Sequence, residues 1–333
     1  FLRWLRKEKK MSKQDYTYAV ARIRALENNL LNQDDLNQLL SCPDEDEAVE
    51  WLLSRGWGDG EEAKDGETIL AYELNKTWKI VRELVKDMST LDVLSYQDLH
   101  HNIKGAIKRV VSGRDAQDVY IDNSFYTDEE LLDIVRKENW YKLPSFLAYK
   151  SKEAYDVAVK TGDGQMLDVM MDRACLESIM EAGNRGQHQV IKDYAEETVA
   201  VTDIKIAVRA ERTKKNADFM RMAMAKCETI NVELLIKAAL TGEEAIIEYI
   251  ESTDYADGAE ALKKSLSAFE RWCSDRIIDL IKPQLRNSFS IGPIFAYIYA
   301  REIEIRSVRN ILMGKRSKLP VEEIRERVRK TYV

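Results

Sequence analysis

Ser290–Ala300 reads SIGPIFAYIYA, the longest apolar stretch in a chain of 333 residues. It has about half the ~20 residues that a membrane-spanning helix needs. The stretch is therefore expected to be a helix buried in a protein core, and membrane association would have to come through a protein partner. Outward from it, the composition tells the same story. The chain has only 14 glycines and 5 prolines, roughly half the usual share of these turn-forming residues. Strand-rich folds need them in their many turns, so sandwich, collagen-like and disordered classes are excluded. Hydrophobic residues make up 45% and charged residues 33%, which suits helices with one buried and one solvated face. The expected class is all-α.

Helix signals recur along the chain. Tyr18, Ala21, Ile23, Leu26, Leu30 and Leu31 approximate one helical stripe. Asp44 with Glu47, Thr127 with Glu130, and Thr241 with Glu244 each have the spacing of a capping box. Gly56, Gly58 and Gly60 end the first of these helices, and two more helices between Thr68 and Gly113 split near Ser89-Thr90. Pro320 takes the first position of a last helix running to Arg329.

Two internal recurrences organise these helices. Glu50-Trp51-Leu52-x-Ser54-x-x-Trp57-x-Asp59 returns 198 residues later as Glu248-Tyr249-Ile250-x-Ser252-x-x-Tyr255-x-Asp257. An apolar residue followed by a cation inside a long helix appears at Ile103-Lys104, Val208-Arg209 and Val308-Arg309, 105 and 100 residues apart. Together they imply three related helical units near residues 11–122, 123–226 and 227–333, closed around an axis or stacked in a line. Residues 1–10, FLRWLRKEKK, precede an ordinary-looking start at Met11. They read as an appended or upstream segment, or as a basic amphipathic segment at a membrane surface with Phe1, Leu2, Trp4 and Leu5 on its apolar side, and carry no functional weight here.

The net charge of −7 is unevenly spread: residues 301–333 carry +5, residues 1–10 carry +4, and residues 34–62 carry −9. Charge segregation of this kind governs partner choice and approach rate. A sequence pI near 5.4 and the lack of basic–aromatic alternation argue against nucleic acid. The four cysteines, Cys42, Cys175, Cys227 and Cys273, form no CxxC pair and fit reduced thiols.

The motifs that carry chemistry are sparse. Gly314-Lys315 resembles the end of a phosphate loop. However, Arg309 stands where the first glycine belongs and Arg316 follows the lysine, so a helix C-cap at Gly314 is expected. Adjacent His100 and His101 would point about 100° apart on a helix and are expected as surface or capping residues. Asp44–Glu47 lacks the glycine of a calcium loop. The aromatics Trp51, Trp57, Trp78, Trp140 and Trp272 are expected as core anchors. The sharpest enzymatic alternative is an all-α Mg²⁺-diphosphate enzyme using Asp168/Asp172 and Asp275/Asp279. These acids lack the doublet of a DDxxD motif, and Arg173 and Arg276 are expected to pair with them. No nucleophile, base and oxyanion donor come together. The chain therefore reads as a binding protein with no catalytic residue, cofactor, metal or small-molecule substrate.

Tyr18-Ala19-Val20-Ala21-Arg22-Ile23-Arg24-Ala25-Leu26-Glu27 resembles the YxxARxRxxE opening of the C subunit of V-type (archaeal and bacterial A-type) ATPases, whose eukaryotic counterpart is the d subunit. The end is similar in more detail: Arg301-Glu302-x-Glu304, then Val308-Arg309-Asn310-Ile311-Leu312-x-Gly314-Lys315, then Leu319-Pro320-x-Glu322-Glu323-Ile324-Arg325. Between them, Asp98-Leu99-His100-His101-Asn102-Ile103 resembles the family's DLHN stretch with an extra histidine. Met171-Asp172-Arg173-Ala174-x-Leu176-Glu177 resembles its DRxYF-like helix, with Cys175 in place of the usual aromatic.

The resemblance implies a non-catalytic funnel of three quasi-equivalent helical bundles about a pseudo-threefold axis. It also implies a cytoplasmic position, peripheral to the membrane, on the rotor. There the protein would join the central axle, made of the D and F subunits, to the membrane ring of proteolipid subunits, and pass on torque for H⁺ or Na⁺ transport. On charge alone, the acidic 34–62 segment and the basic residues Arg306, Arg309, Lys315, Arg316 and Lys318 are the candidate partner interfaces. A helical-repeat adaptor outside any ATPase is the alternative; it would not bind a D–F pair.

Overall fold

The computed structural model describes residues 13–60, 65–113, 120–121, 125–186 and 188–333. Among them the chain forms sixteen α-helices and no strand, so the fold is all-α. The first segment carries α1 (Lys13–Glu27), α2 (Gln33–Ser41), α3 (Glu45–Ser54) and α4 (Gly66–Leu84). The middle carries α5 (Tyr96–Ser112), α6 (Asp128–Arg136), α7 (Ser145–Thr161), α8 (Gly164–Arg185), α9 (Gln189–Arg212), α10 (Ala217–Ala223), α11 (Val232–Thr241) and α12 (Glu243–Glu251). The last carries α13 (Ala259–Lys264), α14 (Leu266–Ile281), α15 (Gly292–Arg316) and α16 (Val321–Arg327). Residues 1–10, the acids Glu61 and Glu62, and the expected boundary at 122–123 lie outside the described residues.

The chain divides into two compact units, one from Ser89 to Asp254 and one joining the segment that ends at Met88 to Tyr255–Val333. In the second unit α15 is the central element. Its opening turns, Gly292 to Arg301, are buried on every side, as the apolar run SIGPIFAYIYA requires. Its later half sets Ile305, Val308, Ile311 and Leu312 against Leu36, Leu39 and Leu40 of α2, Leu52 of α3, Ile69 and Leu70 of α4, and Ile324 of α16. Removing that much apolar surface from water is the main stabilising term. In the Ser89–Asp254 unit, Leu99, Ile103 and Ile107 of α5 meet Leu131 and Val135 of α6, Leu147 and Ala154 of α7, and Leu167 and Met171 of α8.

Short polar side chains set the helix starts by accepting main-chain N–H groups. Thr127 and Glu130 form the reciprocal box expected of them, and Asp44 caps α3 by accepting from Glu47 N at 3.0 Å. Thr241 does not cap α12. It is the last residue of α11, its Oγ1 donates to the Lys237 carbonyl at 3.0 Å, and Gly242 alone separates the two helices. The buried side of α1 is Ala19, Val20, Ile23 and Glu27, while Tyr18 is 69% exposed. Of the expected stripe, Ile23, Leu30 and Leu31 are buried, while Tyr18 and Ala21 lie outside.

Gly314 is not a C-cap. The helix runs on to Arg316, and Gly314 is small because a Cβ there would come within 2.6 Å of Ile324 Cγ1. Left-handed backbone falls instead on Lys318, with φ 54°. Lys318 N donates to the Lys315 carbonyl and Leu319 N to the Gly314 carbonyl, both at 2.9 Å, which is a Schellman ending. α16 stops at Arg327 rather than Arg329; Arg329 N donates to Ser307 Oγ at 3.2 Å.

Both sequence recurrences have structural counterparts. In the longer one, Ser54 Oγ donates to the Trp51 carbonyl and Ser252 Oγ to the Tyr249 carbonyl, each at 2.7 Å. The turn aromatics Trp57 and Tyr255 are buried, each under a guanidinium: Arg301 at 4.4 Å and Arg276 at 4.7 Å from the ring centroid. The following Asp59 and Asp257 each take a cation, Lys76 at 2.8 Å and Arg276 at 3.2 Å. In the shorter one, Ile103, Val208 and Val308 are all fully buried.

Candidate partner interfaces and the ion network behind them

The basic residues of α15 and its end do not form one surface. Arg306 and Lys318 are exposed and make no ion pair among the described residues. Arg309 Nε donates to Glu67 Oε2 at 3.1 Å, and Arg316 grips Glu45 with two bonds of 2.7 and 2.5 Å. Lys315 is buried, 8% exposed, and its ammonium donates to the Leu40 carbonyl at 3.0 Å and to the Cys42 carbonyl. Its amine is spent on the end of α2, so it ties α15 to that segment.

The acidic and basic segments are therefore neighbours within one unit. Glu45 of the acidic segment answers Arg316, Arg325 NH1 donates to Asn37 Oδ1 at 2.8 Å, and Asp35 is held by Arg55 at 2.6 Å. Asp34, Asp46, Glu47 and Glu50 remain exposed without an ion pair among the described residues. What reaches solvent is an acidic patch on α2 and α3 beside a few cations of α15.

Behind this surface lies an ion cluster that charge counting misses. Arg301 is bound on one side by Glu73 of α4 and on the other by Glu304, all three buried. Glu304 also accepts from Leu31 N, and Glu73 Oε1 accepts from Gly58 N at 2.8 Å. Lys76 stands 3.7 Å from Glu73 and 2.8 Å from Asp59, and holds the Asp59 carboxyl below its ordinary range. Burial outweighs the pull of Arg301 and raises the Glu304 carboxyl. Trp57, Glu73, Lys76, Tyr297 and Arg301 line a cavity of about 250 Å³. Removing one member of a buried ion group of this kind is costly, because it leaves an uncompensated buried charge. Arg301 and Glu304 belong to the family-like RExE stretch, and Glu73 lies 228 residues away in sequence. The available signal was a charged i,i+3 pair set directly after an apolar run.

The other family-like stretches serve similar ends. Arg24 NH1 donates to both Glu27 oxygens at 2.7 Å, while NH2 reaches the Gln284 and Asn287 carbonyls at 2.5 and 2.7 Å. Asn102 brackets Ile121, giving a bond of 2.7 Å to its carbonyl and accepting one of 2.8 Å from its N–H. His100 is not on the surface. It is 3% exposed, with Nδ1 2.8 Å from the Tyr96 carbonyl and Nε2 3.3 Å from Ser178 Oγ. Desolvation lowers its pKa from 6.5 to about 4, so the ring is neutral. Burial likewise pushes the Cys175 thiol up to about 12 and leaves it inert.

The spaced acids have other partners than expected. Lys104 lies 2.6 Å from Asp172 and 3.6 Å from Asp168, and Lys108 is 2.6 Å from Asp168. Arg173 binds Glu177 and Arg276 binds Asp257. Arg271 stands 3.5 Å from Asp275, and Lys330 pairs with Asp279 at 2.5 Å. These carboxylates sit on half-solvated faces beside cationic groups, which compete with any divalent ion. Among the described residues no helix is long and apolar enough to cross a membrane.

Among known proteins, the chain is similar to the C subunit of the V-type sodium ATPase of Enterococcus hirae, with 24% identity over 93% of this chain and 97% of that protein. The C subunit of the A-type ATP synthase of Methanocaldococcus jannaschii is 24% identical over 93% of this chain and 85% of its own length. That of Methanothermobacter thermautotrophicus is 22% identical over 90% and 84%. The profile of the family described as ATP synthase (C/AC39) subunit matches residues 19–327. With nearly the whole all-helical chain covered, this protein belongs to the ATP synthase (C/AC39) subunit family and is an accessory component of that machinery rather than an enzyme.

Proposed function

We propose that the chain is the rotor component that joins the central axle, made of the D and F subunits, to the membrane ring of proteolipid subunits. In this role it carries torque between ATP turnover and H⁺ or Na⁺ transport, from the cytoplasmic side of the membrane. The observation that carries the reading is the family match spanning residues 19–327. The role demands stiffness, which close-packed helices supply. Ion clusters such as Glu73–Arg301–Glu304 tie α4 to α15.

The three-unit funnel, with units at 11–122, 123–226 and 227–333, is part of the same proposal. Its support is the fully buried apolar members of the Ile103, Val208 and Val308 pairs and the twice-used serine–aromatic–aspartate turn. Of the basic residues, Arg306, Arg309, Arg316 and Lys318 face partners, and Lys315 holds them in place. The test is direct binding. The purified chain should take up a purified D–F pair one to one, and reversal of Arg306, Arg316 and Lys318 to glutamate should weaken D–F or ring binding most at low salt. Absence of D–F binding would exclude the axle role.

A further inference from the structure

Between α10 and α11 the main chain runs without helix over residues 224–231, and two carboxylates on one face of α9 hold it. Half-buried Glu196 accepts at Oε1 from Glu228 N at 2.8 Å and from Thr229 N and Oγ1, each at 2.7 Å. Two turns further along the helix, Asp203 Oδ1 accepts from Ala225 N at 3.2 Å. The two clasps differ in their surroundings. Glu196 stands at the edge of solvent, whereas Asp203 is fully buried and its Oδ2 has no hydrogen-bond partner among the described residues. Ala225 and Cys227 of the held segment pack against Leu176 and Met180 of α8 and against Val199 and Ile206 of α9.

A negative charge at Asp203 would be poorly provided for. One main-chain N–H is less than an ionised carboxylate needs when water is excluded. From α8 the charged group facing it is Arg173, but that guanidinium is engaged by Glu177 Oε1 at 2.8 Å and the Arg221 carbonyl at 2.9 Å. Cys227 faces it from the held segment. Arg221 of α10 and Glu233 of α11 are bound to each other, and Tyr249 of α12 is turned to the Asn231 main chain. Desolvation accordingly raises the Asp203 pKa from 3.8 to about 8, against the weaker pulls of the Ala225 N–H and Arg173.

We propose that Asp203 and residues 224–231 form a pH-sensitive latch, in which the segment is seated on α9 while the carboxyl is protonated, and opening the segment delivers that proton to water. The open form solvates the carboxylate, so each step up in pH from about 4 favours opening. The gain ends near pH 8, where the seated carboxyl ionises as well. The latch is local to the Ser89–Asp254 unit, needs no partner, and stands apart from the rotor reading.

The test is hydrogen exchange of the full chain between pH 5 and 9, read by mass spectrometry, with each rate divided by that of an unstructured peptide at the same pH. Peptides covering residues 224–231 should gain about tenfold per pH unit up to about pH 8 and level off above it. Peptides of α5 should show no such gain. Asp203→Asn keeps the shape and the accepting oxygen without the titrating proton, and should remove the gain; Asp203→Ser serves if the amide does not fold. Glu196→Gln should leave the gain in place. A wild type without the gain overturns the latch, whether or not the variants fold. So does a gain that survives the change at Asp203, or one that α5 shares, since the whole unit then loosens.

Discussion

Arg301 shows what a single residue decides here. Its buried guanidinium pairs with Glu73 and Glu304 beside a cavity, and its plane covers Trp57. Arg301→Met would leave buried Glu304 without a counter-charge and Glu73 with Lys76 alone at 3.7 Å, and we expect unfolding in urea to show a loss of about 3–5 kcal/mol. A loss under about 1 kcal/mol would mean that the carboxylates find water or protons instead. His100 gives the pH counterpart. Its folded pKa, about 4, lies below its ordinary 6.5, so the unfolded chain binds the proton first as the pH falls. Stability present above pH 6.5 is then lost progressively toward pH 4, by about 3 kcal/mol at the limit. His100→Asn should flatten that part of the stability–pH curve relative to wild type; an unchanged slope would place the loss on other groups. Neither role is visible in the sequence. A histidine beside a second histidine looks like surface, and an arginine's partner 228 residues away leaves no local trace.

At the scale of elements, most helices announce themselves, and their ends do so less well. Low glycine and proline content, the Thr127–Glu130 box and the apolar run SIGPIFAYIYA are enough for the class, a helix start and the buried core helix. The end of α15 is not readable, because glycine has two uses. At Gly314 it permits contact with Ile324, while the left-handed position is given to Lys318, which carries a Cβ. Lys318→Gly removes that strain without touching the core, so thermal melts should show a gain of about 0.5–1 kcal/mol. Destabilisation would show that the lysine side chain contributes more than its backbone costs. The Thr241–Glu244 pattern fails for a related reason: α11 and α12 are separated by one residue, so the would-be cap is still inside the preceding helix.

For the whole molecule, the charge segregation read from the sequence has a partly internal purpose. The acidic 34–62 segment and the basic C-terminal segment meet in one unit, where Glu45–Arg316 and the Lys315 contacts with Leu40 and Cys42 join them. Charge alone therefore groups a buried staple, Lys315, with exposed cations. The family-like stretches at both ends of the chain each hold an ion pair, half-buried Arg24–Glu27 at the start and buried Arg301–Glu304 at the end, and both pairs also bind main-chain groups of other elements.

The most direct test of the rotor role is to reconstitute the ATPase in sealed vesicles with and without this chain, and to measure ATP hydrolysis and ion uptake in the same samples. Without the chain, hydrolysis should continue while ion uptake is lost, and adding the chain back should restore uptake. Ion uptake at full rate in its absence would contradict it.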